Sequence, residues 1–94
     1  MGKYFIDIKD IAKIQFRKIY KSGDQATIKK LEKIMLELSQ HPSTGIGNPE
    51  LLKYNLSGLW SRRINSQDRI IYEIIEEPDK MVVVISALGH YYSI

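Results

Sequence analysis

The chain has 94 residues, with 14 lysines and arginines against 11 aspartates and glutamates, a net charge of +3, 44% hydrophobic residues and no cysteine. That length supports one domain, residues 1–94, with a modest core, and the composition excludes a disordered tail. Without cysteine there are no disulfides or thiolate metal sites, and His41 and His90 lack any helical ligand spacing, so neither a metal nor another cofactor is expected.

No apolar run reaches the ~18 residues of a membrane span, and MGKYFIDIKD lacks the pattern of a signal peptide. A cytoplasmic protein with no membrane partner is therefore expected. The charge is uneven: residues 1–44 carry 9 basic side chains against 5 acidic ones, and residues 45–94 carry 5 against 6. A polyanion would be gripped mainly by the N-terminal half, unless those lysines are simply a solvated helix face.

Lys3 to Ile8 alternates Tyr4, Ile6 and Ile8 against Phe5 and Asp7, which predicts a short strand. Ala12, Phe16, Ile19 and Tyr20 then recur as one apolar stripe of a helix whose other face carries Lys13, Arg17, Lys18 and Lys21. Gly23 suits the C-terminal cap and Asp24 the N-cap of a second helix. That helix places Ile28, Leu31, Met35 and Leu38 on one side and ends at or before His41, ahead of Pro42.

A loop from His41 to Pro49 follows, and then three strand-like runs: Leu59 to Ile64, Arg69 to Ile75 and Met81 to Ala87. Their short connections favour antiparallel neighbours. In the middle run Ile70, Tyr72 and Ile74 form the face assigned to the helices, leaving Arg69 and Glu73 on the other. Period-two alternation also puts Arg62 and Arg63 on opposite faces, so at most one joins Arg69. The fold expected is α+β, an N-terminal strand and a two-helix hairpin packed on an antiparallel β-sheet.

The stretch Gly45 to Tyr72 gathers Glu50, Lys53, Arg62, Arg63 and Arg69 around Trp60. Cutting RNA without a metal requires a base for the 2′-hydroxyl proton, an acid for the departing 5′-oxygen and cations for the phosphate charge. Glu50, His90 and the arginines supply one candidate for each. Each has a plainer alternative: Glu50 as a solvated loop acid, Lys53 as a surface residue, the arginines as partners of Asp68, Glu73 or Glu76, and His90 as a surface histidine. Tyr91 and Tyr92 suit either packing or stacking on an unpaired base, and Trp60 suits the core. No nucleophile elbow surrounds Ser57 or Ser61, and Gly45 to Pro49 is too poor in glycine for a phosphate-binding loop.

The run Gly45-Ile46-Gly47-Asn48-Pro49-Glu50-Leu51-Leu52-Lys53-Tyr54-Asn55-Leu56-Ser57-Gly58-Leu59-Trp60-Ser61-Arg62-Arg63-Ile64 closely resembles the signature of the YoeB (Txe/YoeB) toxins of type II toxin-antitoxin modules, in the RelE superfamily. Arg69-Ile70-Ile71-Tyr72 and Gly89-His90-Tyr91 continue the match in order. The resemblance implies a RelE-like fold and a ribosome-dependent mRNA endonuclease, an mRNA interferase that cleaves A-site mRNA without a metal and leaves a 2′,3′-cyclic phosphate. Glu50 matches the general base, His90 the general acid, and Arg69 the arginine that stabilises the transition-state phosphate. Arg63 matches a second arginine of the site, Lys53 a supporting lysine, and Tyr91 the tyrosine that orients substrate.

The partners so implied are a YefM-like antitoxin, the ribosome and its mRNA, a homodimer, and operator DNA reached only through the antitoxin complex. The chain departs from the pattern at Ala87-Leu88-Gly89, where some relatives carry a basic residue. Two other readings use the same scaffold: a non-enzymatic toxin that inhibits gyrase, and a decayed toxin kept as an antitoxin-binding corepressor. The gyrase reading needs no acid-base pair, so the presence of both Glu50 and His90 counts against it.

Overall fold

The computed structural model describes residues 3–88. Along the chain come β1 (Phe5–Ile8), α1 (Asp10–Ser22), α2 (Gln25–Leu38), β2 (Glu50–Leu51), a 3-10 turn at Tyr54–Leu56, β3 (Leu59–Arg63), β4 (Arg69–Ile75) and β5 (Met81–Ser86). The described strands form one sheet in the order β1-β5-β4-β3-β2, antiparallel except for the β1–β5 pair. This is the α+β architecture expected, and the ladder adds where the first strand sits. The first strand joins the sheet as a parallel edge, registered Phe5 to Met81 and Ile8 to Val84. Flanked by β1 and β4, β5 is interior, which explains its nearly unbroken apolar run.

Local chemistry sets the helix boundaries. Gly23 stops α1 in the left-handed region, at φ 75°. Asp24 then caps α2: one carboxylate oxygen accepts the Thr27 amide at 3.3 Å and the other accepts the Thr27 hydroxyl at 2.7 Å. Those hydrogen bonds hold the Asp24 carboxyl below its ordinary pKa. Helix α2 ends at Leu38, ahead of Pro42, as the proline requires.

Both helices bury their stripes on one face of the sheet. Ala12, Ile19, Ile28, Leu31, Ile34 and Leu38 form the core with Ile70, Tyr72, Val82 and Val84, and Phe16, Met35, Trp60 and Ile74 pack around it. Tyr20, expected in the α1 stripe, is instead half exposed and donates its hydroxyl to Glu32 at 3.1 Å. At 3.6 residues per turn it lies about 80° round the helix from Ala12, at the stripe's rim. Ile34, which the expected α2 stripe omits, is fully buried one turn from Leu31 and Leu38. No described helix is long and apolar enough to cross a membrane.

Candidate active site

Cross-strand partners share a face, so the ladder fixes which polar side chains meet. Glu50 pairs with Ser61, Ser61 with Ile71, and Arg63 with Arg69. All lie on the face opposite the helices, while Arg62 pairs with Ile70 on the helix side. A Glu50 carboxylate oxygen stands 3.7 Å from an Arg69 guanidinium nitrogen, with Arg63 exposed beside them. Arg69 is mostly covered, its side chain 18% accessible, whereas Glu50 is 55% accessible. The face is not wholly open, because Ile71 and Val83 are buried on it. Ser61 is also buried, and its hydroxyl has no hydrogen-bond partner among the described residues.

Glu50 reaches this face because the preceding loop is anchored beneath the sheet. Arg62 is completely buried. Its guanidinium donates to Glu37 at 2.6 Å, to the Tyr72 hydroxyl at 3.1 Å, and to the carbonyls of His41 at 3.0 Å and Thr44 at 2.6 Å. Glu37 in turn accepts the Ile46 amide at 3.0 Å, and the Arg63 amide donates to the Gly47 carbonyl at 2.6 Å. One arginine thus ties α2, the 41–49 loop and β4 together. Burial raises the Glu37 carboxyl, but the Ile46 amide, the Arg62 hydrogen bond and the charges of Arg62 and His41 outweigh it, leaving its pKa below the ordinary value. For Tyr72 the balance is reversed: burial raises its pKa and Arg62 offsets only part of the rise.

After β2, the Leu52 amide donates to the Leu59 carbonyl at 2.8 Å, closing the turn that carries Lys53 and Tyr54. Glu50, Leu51, Leu52, Lys53 and Tyr54 line a shallow depression of about 190 Å³. Lys53 is exposed there. Tyr54 is 90% exposed and sits at φ 60°, a left-handed conformation unusual for a tyrosine. Its carbonyl accepts the Ser57 amide at 3.0 Å and the Ser57 hydroxyl at 2.7 Å, which hold the turn in that shape.

The structure therefore brings Glu50, Arg63 and Arg69 onto one face, with Lys53 at the rim of the depression that begins at Glu50. His90 and Tyr91 lie outside the described residues. Arg62 is not on this face; it supports the loop from behind. Three features of the region escaped the sequence reading: the Glu37 partnership, the buried Ser61 hydroxyl and the left-handed Tyr54. Ser61 carried a signal, since it shares the strand parity of Arg63. Tyr54 and Glu37 carried none.

The description of YoeB-like toxins of bacterial type II toxin-antitoxin systems matches residues 10–91. The chain belongs to this family. A YoeB toxin of Synechocystis is 40% identical over 77% of this chain and 80% of its own length. Among solved structures, the YoeB dimer of Staphylococcus aureus superposes with a TM-score of 0.77 at 30% identity, covering 96% of this chain and all of that one. The YoeB chain of the heterotetrameric YoeB–YefM complex from the same organism gives 0.74 at 28% identity, with the same coverage. The YoeB-like match spans Glu50, Lys53, Arg63, Arg69, His90 and Tyr91 alike.

Proposed function

We propose that this YoeB-like toxin is a ribosome-dependent endoribonuclease that cuts mRNA in the ribosomal A site by metal-independent acid-base catalysis. The observation that carries the reading is the Glu50 carboxylate 3.7 Å from the Arg69 guanidinium, with Arg63 in register beside it. A carboxylate next to two cations suits a base adjoining a phosphate site, and membership of the toxin family supports the reaction class.

In this mechanism Glu50 takes the proton from the 2′-hydroxyl as that oxygen attacks phosphorus. The bond to the 5′-oxygen breaks, His90 protonates the leaving oxygen, and a 2′,3′-cyclic phosphate and a 5′-hydroxyl result. Arg69 and Arg63 hold the charge that builds on the non-bridging oxygens, Lys53 supports the backbone phosphate, and Tyr91 orients the substrate. At 3.7 Å the Glu50–Arg69 pair is looser than a charge-assisted hydrogen bond, so an incoming phosphate can claim Arg69 and release the carboxylate for proton abstraction.

The partners of this reading are the translating ribosome with its mRNA, which places the protein in the cytoplasm, and a YefM-like antitoxin of the kind complexed in the Staphylococcus aureus structure. The YoeB dimer of Staphylococcus aureus supports a homodimer as a further partner, and in this reading operator DNA is reached through the antitoxin.

The test is to add purified protein to translating ribosomes and map mRNA ends by primer extension. New ends inside A-site codons are expected, persisting when EDTA is added at constant free magnesium. Glu50→Gln and His90→Gln should each lower the cleavage rate on the order of 10²- to 10⁴-fold with ribosome binding retained. Intact mRNA at saturating protein overturns the proposal, and supercoiling inhibition without RNA cleavage would replace it with a gyrase inhibitor.

A further inference from the structure

We propose that Tyr54 is a base-stacking residue of this site, holding an unpaired nucleobase of the RNA beside the Glu50–Lys53 depression. The inference rests on the endoribonuclease reading and extends it to a residue that the acid-base mechanism does not use.

Three observations converge on that ring. It is 90% exposed, so it adds almost nothing to the core, and burial does not account for an aromatic residue here. Its backbone is at φ 60°, which favours glycine or asparagine, yet the position holds a large aromatic side chain. Two hydrogen bonds from Ser57 to its carbonyl stabilise that conformation, fixing where the side chain leaves the turn. Tyr54 also lines the same depression as Glu50 and Lys53. An exposed aromatic on a hydrogen-bonded turn, next to a cation and a carboxylate, suits a splayed nucleotide: the ring takes the base face, Lys53 the phosphate, and Glu50 the 2′-hydroxyl. Both chain neighbours, Lys53 and Asn55, are exposed and polar, which favours a nucleotide over an apolar protein segment.

The left-handed backbone provides an unusually clean test. Tyr54→Asn removes the ring while relieving the strain, so its thermal midpoint should equal or exceed that of the original protein. Tyr54→Phe keeps the ring and loses only the hydroxyl. On programmed ribosomes, Tyr54→Asn should cleave at least ~10-fold more slowly than the original, and Tyr54→Phe within about 2-fold of it. A second arm uses mRNA carrying 2-aminopurine in the A-site codon and a 2′-deoxy sugar at the scissile position, so that stacking is read as fluorescence quenching without cleavage. The original and the Phe variant should quench, and Tyr54→Asn should not. Cleavage and quenching unchanged in Tyr54→Asn overturn the inference, as does unchanged cleavage with lost antitoxin binding, which would make Tyr54 a protein contact. If the original protein neither cleaves nor quenches on ribosomes, the endoribonuclease reading fails. The free oligonucleotide then decides the stacking separately, and equal quenching by the original and Tyr54→Asn overturns it.

Discussion

Arg63 and Arg69 stand directly opposite each other on neighbouring strands, two guanidinium groups in one cross-strand pair. Like charges in that position cost stability, and the Glu50 carboxylate near Arg69 offsets part of the cost. A cation pair kept for the proposed phosphate site predicts opposite effects on stability and activity. Arg63→Gln should gain roughly 0.2 to 1 kcal/mol in urea unfolding while losing RNA cleavage. Added salt should stabilise the original protein more than the variant. Loss of both stability and cleavage would instead make Arg63 a structural residue.

Ser61 should behave similarly for a different reason. Its buried hydroxyl has no partner among the described residues, so Ser61→Ala removes an unmet polar group without opening a large cavity. A gain on the order of 1 kcal/mol is expected in chemical denaturation. A comparable loss would mean that the hydroxyl is satisfied in solution, as by a bound water.

The Arg62 anchor should not follow the usual rule for buried ion pairs. Removing one partner, as in Arg62→Met, should cost about 3 to 5 kcal/mol. Replacing both partners by apolar residues often restores stability, but here the Glu37→Leu/Arg62→Met double variant should recover little. The His41 and Thr44 carbonyls would still lack their donor. Equilibrium unfolding of the two single variants and the double measures this directly.

Glu37 also gives the fold an acid-side dependence. Because its folded pKa is lowered, its stabilisation is fully present above the unfolded value, near the ordinary 4.5, and is lost as pH falls through the folded value. The Tm of the original protein should therefore fall more steeply across the acid range than that of Glu37→Gln, whose side chain does not titrate. Parallel curves would mean that another carboxylate controls acid unfolding.

Two glycines separate backbone strain from steric collision. Gly23 and Gly47 both have positive φ, 75° and 82°, but a Cβ at Gly23 would meet nothing within 4 Å, whereas one at Gly47 would lie 2.7 Å from the Arg63 carbonyl oxygen. Gly23→Ala should cost about 1 kcal/mol. Gly47→Ala should cost more, about 1 to 3 kcal/mol, and should also lower activity, because the collision pushes the 41–49 loop off β3. Equal costs would show that the loop yields without strain.

What could be read from the sequence was whatever has a local period or a local punctuator. The Arg69–Ile75 strand alternates cleanly between turn-forming segments, and the same alternation separated Arg62 from Arg63. The Gly23-Asp24 junction follows from the conformational preferences of those two residues. Glu50 as a strand residue was not legible, since two residues show no period, and its approach to Arg69 depends on the register of β2 on β3 and of β3 on β4. The β1–β5 pairing leaves no local trace either, because each strand looks the same whichever neighbour it has. Alternation set Arg62 apart from Arg63, but it could not name the partners of Arg62: Glu37 lies 25 residues upstream, and the other acceptors include backbone carbonyls.

The position of β5 between β1 and β4 also constrains assembly during synthesis. Of the described strands β5 emerges last, yet it is interior, and β1, which emerges first, pairs only with it. Until β5 is made, the earlier strand edges lack their partner and the helices cannot close over a complete sheet. Such long-range pairing makes folding a late, slow event. The Glu50–Arg69 face, built on the sequential strands β2, β3 and β4, can pair early, but the sheet that backs it and the helix layer beneath it are complete only once β5 has been made.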